Sequence, residues 1–124
     1  MKRLHLEATQ YTPEITLDPA GTITMVGKSY PENTFDFYKP IMEWVENYFD
    51  GNTAKKTIIN MEIIYFNSSS SKLFFDLFDL VDENKESSKI VINWIYDKEN
   101  ESAQEAGEDF QDDFEDLEIN LVSK

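Results

Sequence analysis

Thr57-Ile58-Ile59-Asn60-Met61-Glu62-Ile63-Ile64-Tyr65-Phe66 runs straight into Asn67-Ser68-Ser69-Ser70-Ser71-Lys72, and then into Leu73-Phe74-Phe75-Asp76-Leu77-Phe78-Asp79-Leu80-Val81-Asp82. The first segment is the most apolar strand candidate in the chain. Ile59, Met61, Ile63 and Tyr65 form one wholly apolar parity, and Ile58, Ile64 and Phe66 share the other with Asn60 and Glu62. That pattern predicts a central strand covered on both faces. The last segment repeats with a helical period, placing Leu73, Phe74, Leu77, Phe78 and Val81 on one side and Asp76, Asp79 and Asp82 on the other. The serines between them therefore sit at a strand-to-helix junction. There they can meet the free N–H groups of a helix start, with Ser69 or Ser70 as N-cap.

Working outward, Lys89 to Tyr96 reads as a second central strand, and a helix is predicted from about Asn100 to Phe114. Its thin apolar stripe is Ala103, Ala106, Gly107, Phe110 and Phe114. Leu117, Ile119 and Leu121 alternate as in a short edge strand. Towards the N-terminus, Thr12 to Asp18 and Thr22 to Val26 flank the turn Asp18-Pro19-Ala20-Gly21, which predicts a hairpin with Ile15, Leu17, Ile23 and Met25 inward. Gly27 to Asn33 reads as a loop. A helix follows with Phe37, Ile41, Trp44, Val45 and Tyr48 on one face, starting between Thr34 and Lys39 so that Pro40 stays near its first turn. Gly51 ends it.

Strands alternating with helices after a hairpin predict an α/β fold, with a mixed sheet of about five to six strands and about three helices. At 124 residues, without repeat or linker, residues 1–124 read as one domain. Apolar residues make up 40% of the chain, enough for a core, and the net charge is −14. That charge argues against nucleic acid and anionic membrane as partners and favours proteins with basic faces. With no cysteine, no signal-peptide pattern and no apolar run long enough to span a bilayer, the expected location is the cytoplasm.

Catalytic chemistry finds no foothold. His5 is the only histidine, and it stands in a charged segment. No Gly-x-Ser-x-Gly elbow, glycine-rich phosphate loop or calcium-loop spacing occurs. The acidic stretch Asp97–Glu118 reads as a solvated helix face. No catalytic residue, metal ligand or cofactor is assigned. On spacing alone, the serines read as caps.

Several motifs together carry more. Tyr65-Phe66-Asn67-Ser68-Ser69-Ser70-Ser71-Lys72 resembles the signature of the SiaC-type regulatory phosphoprotein family: an apolar strand, Asn-Thr/Ser-Ser-Ser, then a helix. Thr12-Pro13, Ser29-Tyr30-Pro31-Glu32-Asn33, Trp44-Val45-Glu46 and Trp94-x-Tyr96-Asp97-x-x-Asn100-Glu101 agree in order and spacing, over nearly the whole chain. The resemblance implies a STAS-like architecture and a partner switch of the anti-sigma-factor-antagonist type. In that scheme a GHKL, anti-sigma-factor-like kinase phosphorylates a hydroxyl at the junction and a PP2C-type phosphatase removes the phosphate. The unphosphorylated form activates an effector, in the best-known cases a diguanylate cyclase controlling biofilm and aggregation through cyclic-di-GMP.

The family acceptor follows the Asn, which makes it Ser68 here, a serine where the family pattern has threonine; Ser69 and Ser70 stand as alternates. Asn67, Ser69, Ser70, Ser71 and Lys72 are expected to form the partner surface, joined by Tyr30, Glu32 and Asn33 through the resemblance. Trp44 and Trp94 are expected in the core. Lys72 is the only positive charge close to Ser68 in sequence, so a phosphate is expected to expel a partner and leave the fold intact. A small-ligand or nucleotide sensor of the same fold, binding at the serines without modification, is the competing reading.

Overall fold

A computed structural model describes residues 1–124 and shows a six-stranded mixed sheet with three helices. The strands are β1 (Leu4–Leu6), β2 (Glu14–Asp18), β3 (Thr22–Ser29), β4 (Lys56–Phe66), β5 (Lys89–Tyr96) and β6 (Glu118–Ser123). The helices are α1 (Thr34–Phe49), α2 (Ser68–Glu83) and α3 (Glu101–Asp113). Spatial order follows chain order: β1, β2 and β3 pair antiparallel, and β3 through β6 pair parallel. The expected mixed sheet is therefore present. Its sixth strand is β1, a short edge segment too brief to show a period.

Strand order decides how the sheet is covered. Each crossover steps to the next strand in the same direction, and right-handed crossovers then place all three helices on one face. The core is one layer between that face and the helices. Ile15, Leu17, Ile23, Met25, Ile59, Met61, Ile63, Ile92 and Trp94 lie in it essentially without solvent contact. The expectation that β4 is covered on both faces fails for this reason. On its open face Asn60 and Glu62 are half-buried, and Asn60, Asn93 and Asn120 stand in register and hydrogen-bond in series at 2.8 and 3.2 Å. Polar residues on the mixed parity of β4 mark a solvated face, not a second core.

The loop before the first helix is shorter than expected. β3 continues through Ser29, shortening the expected loop to Tyr30–Asn33. Helix α1 begins at Thr34, within the expected range, and carries Pro40 in its second turn. Pro40 is on the exposed side, so water can take the Asp36 carbonyl that lacks its usual donor. The buried stripe of α1 is Thr34, Tyr38, Ile41, Val45, Tyr48 and Phe49, while Phe37 and Trp44 are only partly covered. Trp44 stacks on Tyr48 and donates its indole N–H to the Lys2 carbonyl at 2.9 Å, whereas Trp94 is a true core residue.

Two buried hydroxyl chains stitch helices to strands. Tyr48 bonds Thr57 at 2.8 Å, and Thr57 bonds Ser88 at 2.7 Å. Near the opposite end of α1, Ser29 bonds both Tyr38 and Ser70. Helix α3 comes unusually close to the sheet because of Gly107. A Cβ there would lie 2.6 Å from both Leu121 and Trp94 side chains. No helix is long and apolar enough to cross a membrane.

Candidate functional site: the start of helix α2

The end of β4 is irregular, and this shapes everything after it. Gly27 pairs with Ile63, but Lys28 pairs with Tyr65, leaving Ile64 as the extra residue of a bulge. Gly27 takes φ +133 opposite the bulge, a conformation other residues rarely adopt. The Ile64 carbonyl accepts instead from the Asn100 side chain at 3.0 Å. Beyond the bulge the alternation inverts. Phe66 turns inward against Phe74 and Trp94, and Tyr65, placed inward by its parity, turns out and is 55% exposed.

Helix α2 begins earlier than its periodic stripe, so the serines form its first turn. Asn67 is the N-cap, and its side-chain oxygen accepts from the Ser70 N–H at 2.9 Å. This corrects the assignment of the cap to Ser69 or Ser70. The four serines then differ sharply. Ser70 is fully buried, with its hydroxyl 2.7 Å from that of Ser29. Ser68 and Ser69 are exposed, and Ser71 is half-buried; none of the three makes a side-chain hydrogen bond within the chain. Ser68 occupies the first helical position, where unsatisfied N–H groups and the helix dipole favour negative charge.

Two clefts diverge from this turn. One lies between α1 and α2, with a volume of about 670 Å³; Glu32, Asn33, Ser69 and Lys72 line it together with Phe35, Met42 and Asp76. The other separates α2 from α3 and brings Ser68, Ser71, Lys72 and Phe75 against Asp109 and Asp113. Most of the residues named for the partner surface thus converge. Asn33 also caps α1, accepting from the Asp36 N–H at 3.1 Å. Tyr30 lines neither cleft and sits edge-on between Tyr11 and Tyr65. Ser70, being interior, offers no surface.

The electrostatics agree with the sequence in one respect and extend it in another. Lys72 is the sole cation lining either cleft, and it already pairs with Asp76 at 3.4 Å. Asp109 and Asp113, distant in sequence, add negative charge beside Ser68. A free anion or nucleotide finds a poor match there. No three histidine or carboxylate side chains converge in a way that could hold a metal ion.

Reading along the chain missed the apolar component. Phe35, Ile64, Tyr65 and Phe75 are exposed and line clefts around the same turn, and Tyr11 extends the patch through Tyr30. Phe35 and Phe75 fall off the apolar stripes of their helices, and that misplacement was the available signal. Tyr65 had none, because a bulge leaves no mark in the period.

The comparisons with known proteins agree with one another. The sequence model described as SiaC family regulatory phosphoprotein matches residues 6–124. An uncharacterized protein of Pseudomonas aeruginosa strain UCBPP-PA14 is 36% identical over 116 residues, covering 91% of this chain and 90% of that protein. The structure of apo-SiaC from Pseudomonas aeruginosa superposes with a TM-score of 0.89 at 31% identity, covering 98% of this chain and 99% of the other. SiaC in the crystal structure of the diguanylate cyclase SiaD with its activator SiaC, from the same organism, gives the same TM-score, identity and coverage.

Proposed function

This chain belongs to the SiaC family of regulatory phosphoproteins, and from that premise we propose that it is a non-enzymatic, cytoplasmic partner switch with Ser68 as its phosphoacceptor. A GHKL-type kinase adds the phosphate and a PP2C-type phosphatase removes it. The unphosphorylated form binds and activates an effector, a diguanylate cyclase by analogy with the SiaD–SiaC complex. The observation that carries the reading is the contrast within one turn of helix. Ser68 is exposed with an unengaged hydroxyl at the first position of α2, while Ser70 is sealed in the interior.

The switch follows from charge and surface. Exposed Phe75 lines the cleft of Ser68, and exposed Phe35, Ile64 and Tyr65 line the neighbouring clefts; together they supply the apolar area that a protein interface needs. A phosphate there adds about −1.5 to −2 charges beside Asp109 and Asp113. The helix N-terminus offsets only about 0.3–1 kcal/mol of the resulting repulsion. An interface seated over Ser68 then loses contact, while the core beneath stays packed.

The decisive experiment incubates the protein with a GHKL-type kinase from the same genome and ATP, then maps the modification by mass spectrometry. Phosphate is expected on the peptide containing Ser68 and absent in Ser68→Ala. Undiminished phosphorylation of Ser68→Ala overturns the site; no phosphorylation of the wild type overturns the switch.

A further inference from the structure

The groove between α1 and α2 has a recognisable chemistry. Phe35, Met42 and Leu73 form its apolar floor, and Glu32, Glu46 and Asp76 stand along its rim. Phe35 is 66% exposed, more than any other large apolar side chain in the protein, although it lies in the first turn of a well-formed helix. The only cation lining the groove is Lys72, already paired with Asp76. From Phe35 to Glu46 the groove wall runs about 16 Å along α1, the length of about three helical turns.

We propose that this groove receives a basic amphipathic α-helix of a partner protein, its apolar stripe on Phe35, Met42 and Leu73 and its Lys or Arg side chains against the acidic rim. Charge excludes a second copy of this chain as the occupant. Helix α1 carries Lys39 against Asp36, Glu43 and Glu46; α2 carries Lys72 against Asp76, Asp79, Asp82 and Glu83; α3 has six acids and no base. Every helix of the protein bears the groove's own sign. The inference deepens the partner-switch reading and rests on it, because Ser69 and Lys72 at the groove mouth place a bound helix next to Ser68.

The test uses the full-length protein and a fluorescent synthetic peptide with a leucine stripe flanked by lysines, beside a control with every lysine replaced by glutamate. Saturable binding is expected for the basic peptide alone. It should weaken by about tenfold or more in Phe35→Ser and in Glu46→Lys, and stay unchanged in Glu105→Lys on α3. Phe35 is mostly exposed, so its replacement spares the core. Absence of saturable binding overturns the proposal. So does equal weakening by Glu105→Lys, which would mean general attraction to an acidic protein, or indifference to Phe35→Ser. Because the titration needs neither kinase nor phosphate, its failure leaves the Ser68 assignment standing, and failure of phosphorylation leaves the groove standing.

Discussion

The hydroxyl of Ser29, at the end of β3, lies 2.7 Å from the hydroxyl of Ser70 in the first turn of α2, and Tyr38 of α1 completes the chain at 2.5 Å from Ser29. The Asn67 N–H also bonds the Ser29 carbonyl at 3.1 Å. The turn that carries Ser68 is thus pinned from below by a strand and a helix. Ser70→Ala should cost about 1–2 kcal/mol, the usual loss for a buried hydroxyl whose partner is left behind. Urea unfolding measures that loss. Phosphorylation at Ser68 should persist in this variant, which separates the structural serine from the proposed acceptor.

Asn67→Ala removes the cap of α2. It should lower stability by about 1 kcal/mol and speed hydrogen exchange at the Ser70 amide above all, since that N–H loses its acceptor. Unchanged exchange at Ser70 would show that the cap does not hold the turn.

Tyr38 gives a pH signature. Burial pushes its phenol up to about 12 from an ordinary value of 10.0, outweighing the Ser29 hydrogen bond, which pulls the other way. The folded state therefore keeps its proton where the unfolded state has lost it. The associated stability is complete below pH 10 and declines between pH 10 and about 12, by about 3 kcal/mol in all. Urea midpoints at pH 9 and pH 11 should diverge more in wild type than in Tyr38→Phe, which has no proton to lose there.

Gly107→Ala should destabilise by about 1–3 kcal/mol through overpacking against Trp94 and Leu121. Intrinsic fluorescence follows this directly, because Trp94 is fully buried and donates to the Ala103 carbonyl at 2.8 Å. A neutral outcome would require α3 to stand off from the sheet.

For the phosphorylated protein, phosphorus NMR reads the surroundings of the phosphate. Asp109 and Asp113 disfavour its dianion and Lys72 favours it, so Asp109→Asn with Asp113→Asn should lower the second phosphate pKa, and Lys72→Gln should raise it. Ser68→Asp should weaken effector binding by about tenfold, or about 1.4 kcal/mol, with circular dichroism unchanged.

Periodicity and turn chemistry alone determined much of this protein. The hairpin with Ile15, Leu17, Ile23 and Met25 inward, the strand at Lys89–Tyr96, the α3 helix and the α/β alternation all follow from short-range pattern, because burial of one face repeats every two or 3.6 residues. The motif order also carried the family. Three things needed the assembled fold. Strand order put every helix on one side, so the mixed parity of β4 faces solvent and not a second layer. The Ile64 bulge reversed Tyr65 and Phe66, a one-residue slip that no local pattern records. Finally, four chemically identical serines became distinct only through their neighbours. The helix turns about 100° per residue, so Ser70 swings under to meet Ser29 while Ser68 stays on the surface, beside carboxylates brought from α3.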